Sequence, residues 1–196
     1  MGSLFRVGHC PDPLAWPDWR YVGDQRFDDP LHLYRVLYLA EQRLACYVEG
    51  LAPLRVPLDR LTSGPHLLPR VPAEWRQRRC VGQVRLLSSQ RWMDLRRIET
   101  AEALRAELAP LLRQLGLPDL DVSVLRGPSR PLTRAVGRWA YDAGFQGIAY
   151  RSRFHDALDC WAIFEGAAFE RVGNIAAVSP DDPDLQTAAA LFGLAV

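Results

Sequence analysis

The run "VLYLAEQRLACYVEG", residues 36–50, changes its hydrophobic period with neither glycine nor proline at the change. Its first five residues are apolar or aromatic throughout, the pattern of a strand buried on both faces. From about Glu41 to Ala52, Leu44, Tyr47, Val48 and Leu51 recur at i, i+3, i+4 and i+7, the stripe of an amphipathic helix. A strand that passes straight into a helix leaves little freedom in the relative placement of the two, because both flanking elements are rigid. Tyr38 stands near the end of the strand, and Glu49 follows eleven residues later on the helix. At about 100° per residue Glu49 sits beside the buried stripe, on the flank of Gln42, Ala45 and Cys46, free to face a cleft or water.

Elsewhere the chain alternates short elements of both kinds. "SLFRVGH" reads as a first strand carrying Arg6, and "CPDPLAWPDWRYVGDQRFDDP" as a long loop whose aromatic residues favour order. "LRVPLDRL", "CVGQVRLL" and "LDVSVLRG" read as strands, the first two parted by a proline-punctuated stretch around "PAEWRQRR". A helix is expected from an N-cap at about Thr100, with Glu102 in its first turn, to Gly116, kinked or divided at Pro110. A second covers "PLTRAVGRWAYDAG", with Ala135, Val136, Trp139 and Ala140 on one face and Gly144 as its stop. "GIAYRS" and "CWAIFE" read as strands joined by "RFHDALD", "FERVG" as a further strand, and Pro183 as the start of a C-terminal helix. No repeat or linker divides the chain, and strands and helices lack the regular alternation of a doubly wound fold. These patterns predict a single compact α+β domain over residues 1–196, with a mixed β-sheet core and flanking helices.

Composition narrows the chemistry. At 196 residues the chain can bury about 70% of its unfolded surface, and no apolar run approaches the roughly 20 residues of a membrane span. The first residues lack the basic and apolar regions of a signal peptide, which sets the expectation of a cytoplasmic protein. "MGSLFR" has Arg6 where a myristoylation signal has Ser or Thr. A net charge of +1 argues against direct nucleic-acid binding through phosphate neutralisation. There is no lysine, so all 24 cationic residues are arginine. Any anion is therefore gripped by planar guanidinium forks, and Schiff-base chemistry is excluded. Cys10, Cys46, Cys80 and Cys160 form no C-x-x-C pair and are expected as buried, reduced thiols. His9, His32, His66 and His155 are isolated from further ligands, so no metal site is expected.

The phosphate-loop, dinucleotide, zinc-protease and nucleophile-elbow motifs are absent. Ser152 and His155 share "RSRFH" without an elbow around the serine. The arginines of "RQRRC" and "RWMDLRR" read as a solvated surface.

What remains is a scattered set, Arg6, Arg26, Tyr38, Glu49 and Ser152, that no periodicity singles out. Their surroundings do. An aromatic-Arg pair on the first strand ("FRVG") is followed by an Arg-aromatic motif before a proline ("DQRFDDP"). Next comes a Tyr-Leu strand with a glutamate eleven residues on ("LYLAEQRLACYVE"), then the helix, strand and serine motif of "LTRAVGRWAYDAGFQGIAYRSRF", and lastly "CWAIFE". In this order, over residues 4–170, the chain resembles the RES-domain family, named for its Arg, Glu and Ser. Gln25 and Asp28 replace that family's usual glycine and asparagine, and Asp159-Cys160 stands where many members carry asparagine.

The resemblance implies a fold similar to ADP-ribosyltransferases and the consumption of NAD as a substrate, with no cofactor. It also implies membership of a toxin–antitoxin pair with an Xre-type antitoxin. On that basis Arg6 and Arg26 are expected to contact the pyrophosphate through charge-assisted bonds. Glu49 is expected to stabilise the oxocarbenium-like ribose, Tyr38 to stack on or line the nicotinamide pocket, and Ser152 to donate to a phosphate or the carboxamide. Inorganic phosphate as acceptor would make the chain an NAD phosphorylase, water a glycohydrolase, and a protein side chain an ADP-ribosyltransferase. A catalytically inactive scaffold that binds a nucleotide or a partner protein is the alternative outside enzymology. A symmetric homodimer is the default oligomer.

Overall fold

The structure, a computed structural model, describes residues 2–61 and 69–196; His66 lies outside them. In chain order it runs β1 (Ser3–His9), β2 (Val36–Ala40), α1 (Arg43–Leu51), α2 (Leu58–Leu61), α3 (Ala73–Gln77), β3 (Arg79–Leu86) and β4 (Met93–Asp94). Then follow α4 (Ile98–Glu107), α5 (Ala109–Gln114), α6 (Val122–Arg126), α7 (Arg130–Asp142), β5 (Gly147–Arg151), β6 (Asp159–Phe164), β7 (Phe169–Ala177) and α8 (Pro183–Leu191). The strands form one mixed sheet in the order β4-β5-β6-β2-β1-β3-β7, with β4 and β5 parallel and the other neighbours antiparallel. This is the α+β domain with a mixed sheet and flanking helices that the sequence predicts.

The side-chain period of two in the central strands builds a core on each face of the sheet. Val36 and Ala40 of β2, Ile148 and Tyr150 of β5, and Cys160, Ala162 and Phe164 of β6 belong to the larger core, which also takes the apolar faces of α1, α4, α7 and α8. Leu37, Leu39, Ala149, Trp161 and Ile163 alternate with them into a second core, closed by Leu14 of the long loop. "VLYLA" is thus buried on both faces, as its unbroken apolar run implies.

The junction after β2 needs no breaker because the start of β6 holds it. Glu41 N donates to Asp159 O at 2.9 Å, and Asp159 N donates to Gln42 Oε1 at 3.0 Å. Gln42 is extended (φ −110°, ψ 137°) and makes no side-chain cap, so tertiary bonds stand in for local capping. At its other face α1 is tied to the start of α8: Tyr47 Oη donates to Asp182 Oδ2 at 2.8 Å, and Arg43 pairs with the same carboxylate. The apolar C-terminal segment therefore packs on its own domain, with Leu185, Ala188 and Ala189 buried.

Several expectations are corrected. "LRVPLDRL", residues 54–61, follows a 3-10 turn (Ala52–Leu54) and ends in α2, and its Pro57 withholds a ladder donor. "LDVSVLRG" is α6, where the Asp121 carboxylate accepts from Val124 N at 2.8 Å and its N-cap outweighs the β-branched residues. The helix expected to start at Thr100 starts at Ile98, and it is divided before Pro110. The strand β4 carries no readable sequence signal. Cys10 and Cys80 are not free thiols but form a disulfide with Cα atoms 5.3 Å apart. The β1–β3 ladder pairs Gly8 with Cys80 and His9 with Arg79, which sets Cys10 diagonally across from Cys80 despite a sequence separation of 70. No helix among the described residues is long and apolar enough to cross a membrane.

Candidate functional site

β1 and β2 pair at a single register position, Phe5 with Ala40, whereas β1 and β3 pair over seven positions. The sheet parts between β1 and β2, and a cleft of about 810 Å³ opens there. The long loop, β1, β2, α1, the start of α7 and the β5–β6 connection line it. Arg6, Arg26, Tyr38 and Glu49 all face it, so residues spread over four segments of the chain meet in one place.

Arg6 reaches across the gap and donates from Nη1 to the Tyr38 carbonyl at 2.9 Å, satisfying an acceptor that the parted ladder leaves open. Its Nε is sealed from solvent without a partner. Burial lowers its pKa to about 10, against the pull of Cys46 and Tyr38, so the guanidinium stays charged at neutral pH.

Glu49 lies about one helical turn beyond Cys46 on α1. Ser152, fully buried after β5, donates from Oγ to Glu49 Oε1 at 2.7 Å and accepts from Phe154 N at 3.1 Å. In this arrangement its one proton faces the carboxylate, and Ser152 is not among the residues that line the cleft.

Tyr38 is half-buried on β2. Its hydroxyl donates to Asp28 Oδ1 at 2.9 Å and accepts from Phe27 N at 2.9 Å. Burial first, and then the Asp28 charge, push its pKa well above the phenol value, so it is neutral. Asp28 Oδ2 also accepts from Gly23 N at 3.0 Å and Gln25 N at 2.9 Å. The substituted carboxylate is thus 3% exposed and organises the turn that carries Arg26. Arg26 donates from Nη2 to the Leu125 carbonyl, lies 5.4 Å from the Tyr150 ring centre, and leaves Nε buried without a partner. Burial lowers its pKa, and Tyr150 and Glu49 oppose that shift. Gly137 of α7 admits the turn, since a Cβ there would stand 2.7 Å from Phe27 O.

Sequence reading missed other cleft residues: His9, Arg79, Arg130, Arg153 and Tyr150. An arginine signals nothing by its spacing, and these lie on five different segments. Asp28 was noticed only as a departure; an acid among turn residues reads as solvated. Cys46 and Cys160 also line the cleft, but burial raises both thiols, Cys46 to about 12, so neither is a ready nucleophile. Among the described residues no group of three or more His, Cys, Asp or Glu is placed to hold a metal.

No curated protein matches the sequence. Among solved structures, a chain of the M. tuberculosis MbcT-MbcA toxin-antitoxin complex is similar, with a TM-score of 0.61 at 14% identity over 91% of this chain and 85% of that one. At that identity the likeness is one of fold. The RES domain family model matches residues 3–186, a span that takes in the parted sheet, the arginines, the tyrosine and the Glu49–Ser152 pair. This chain belongs to the RES domain family.

Proposed function

We propose that the chain cleaves the nicotinamide–ribose bond of NAD, with inorganic phosphate or water as acceptor, as the toxin of a toxin–antitoxin pair. The observation that carries this reading is a carboxylate, Glu49, fixed by a buried serine in a cleft whose arginines are left unpaired. Among the described residues Arg6, Arg26, Arg130 and Arg153 make no ion pair. Unpaired arginines suit a pyrophosphate, which guanidinium grips by charge-assisted bonds. Departure of nicotinamide leaves positive charge on the ribose, and a preorganised carboxylate stabilises that charge as it develops. Glu49 takes this role, and Ser152 keeps its carboxylate from rotating away. Tyr38 offers only its ring, because its proton is engaged with Asp28 and its oxygen with Phe27 N, so it lines the nicotinamide pocket by stacking. The likeness to a chain of a toxin-antitoxin complex supports an antitoxin as the protein partner, and the family resemblance points to one of Xre type.

The test is nicotinamide release from NAD by the purified chain, with and without inorganic phosphate. Phosphate-dependent release identifies a phosphorylase, and release indifferent to phosphate a glycohydrolase. Glu49→Gln is expected to lower kcat by about 100-fold or more with the fold intact. A folded Glu49→Gln chain with wild-type turnover would remove Glu49 from the chemistry. Release only on addition of a protein substrate, which becomes labelled, would replace the reading with ADP-ribosyl transfer.

A further inference from the structure

His9 ends β1 and Arg79 begins β3, and the two are directly opposed across the ladder at the rim of the cleft. Neither belongs to the set assigned to NAD above. Arg79 is half-buried, lies 4.6 Å from the Trp75 ring centre and donates from Nη1 to Trp75 O at 3.4 Å, so its guanidinium is placed by α3 without being neutralised. Among the described residues neither Arg79 nor His9 makes an ion pair, and residues 62–68 contain no acid that could supply one. Asp12, three residues after His9 and also on the cleft wall, is engaged by Arg171 through two bonds of 3.0 and 2.7 Å.

His9 and Arg79 stand on β1 and β3, whereas Glu49 stands on α1. On α1, Cys46 lies beside Arg6, and Glu49 is one turn further along, within electrostatic reach of Arg26, on which Arg130 and Arg153 also act. The arginines offered to the pyrophosphate are Arg6 and those near Glu49, and Arg79 and His9, further along the β1–β3 ladder than Arg6, lie outside that set. Positive potential at the β1–β3 rim is visible at His9, whose pKa is lowered by burial and then by Arg79, Arg6 and Arg78.

We infer that Arg79 and His9 form a second anion subsite, which takes a phosphate group besides the NAD pyrophosphate. The inference rests on the NAD reading for the main site. The chemistry is that of a phosphate dianion, met by a guanidinium and an imidazole with no competing carboxylate. Two sources carry it: the 2′-phosphate of NADP, borne by the substrate, or free inorganic phosphate acting as acceptor.

Calorimetric titration separates them. Inorganic phosphate is titrated into the wild-type and Arg79→Ala chains, and NAD and NADP into the same pair carrying Glu49→Gln so that neither nucleotide is consumed. Loss of one charge-assisted bond weakens binding by about 10-fold or more, and NAD is expected to change by less than about 2-fold because Arg79 is not among the residues offered to it. A loss confined to NADP identifies the substrate-borne phosphate, and a loss confined to inorganic phosphate the acceptor. Arg79→Lys is expected to recover part of the loss, and His9→Ala to reproduce some of it, with melting temperatures unchanged in both. If NADP and phosphate bind Arg79→Ala as well as wild type, or if NAD is weakened as much as NADP, the second subsite is wrong while the NAD site stands. Arg79-dependent phosphate binding by a chain that ignores both nucleotides would keep the subsite and defeat the NAD reading.

Discussion

Ser152 has no access to the cleft, yet it touches the group proposed to matter most there. Its hydroxyl has one proton and gives it to Glu49, so Ser152→Ala removes a bond to a charged acceptor, worth about 1.5–3 kcal/mol. Ser152→Ala is expected to lower kcat by roughly 10-fold or more with KM nearly unchanged, because the carboxylate is still present but no longer held. Steady-state kinetics on the folded variant checks this, and a variant changed only in KM would mean that Ser152 serves binding. Asp28, visible in the sequence only as a departure from the family's asparagine, accepts from Gly23 N, Gln25 N and the Tyr38 hydroxyl. The resemblance brought Arg6, Arg26, Tyr38 and Glu49 together, and the fold sets all four on one cleft. It could not say which hydrogen faces which oxygen, and that detail separates a ligand contact from a support.

Among the elements, those whose periodicity comes from burial on known faces were legible: β1, β2, β3, β5, β6 and the long helices. The failures, "LRVPLDRL" and "LDVSVLRG", are short and rich in β-branched or leucine residues, and one proline or one Asp cap decided them. β4 is two residues long and exists only because β5 is beside it. Contact between elements also makes a prediction that strand and helix patterns do not contain. The turn bearing Arg26 lies against α7 at Gly137, where an added Cβ would meet the backbone of Phe27, oxygen at 2.7 Å and carbonyl carbon at 3.2 Å. Backbone cannot swing aside as a side chain does, so Gly137→Ala must displace either α7 or the turn. Overpacking of this kind costs about 1–3 kcal/mol, and Arg26 moves with the turn. The expected result is a lowered melting temperature with a KM for NAD raised by several-fold. A Gly137→Ala variant with wild-type melting and KM would show that the turn and α7 can part without cost.

For the whole molecule, the Cys10–Cys80 bridge is the feature least visible beforehand, because thiols 70 residues apart meet only once β1 and β3 have paired. Closing a loop of that length constrains the unfolded chain by about 4 kcal/mol in the chain-entropy picture. Reductant, or Cys80→Ser, is therefore expected to lower the melting temperature clearly while the β1–β3 ladder, with its seven paired positions, persists in the folded state. Melting curves that coincide with and without reductant would show that the bridge adds nothing. The bridge stiffens one side of the molecule, where β1, β3 and β7 already form a continuous plate. The other plate, β4-β5-β6-β2, pairs with it at a single register position, Phe5 with Ala40. A pleated sheet resists shear through its rows of cross-strand bonds, and along this one line the rows are missing. The line works as a crease, spanned by the Arg6 guanidinium, so whatever lodges in the cleft becomes a brace between the two plates.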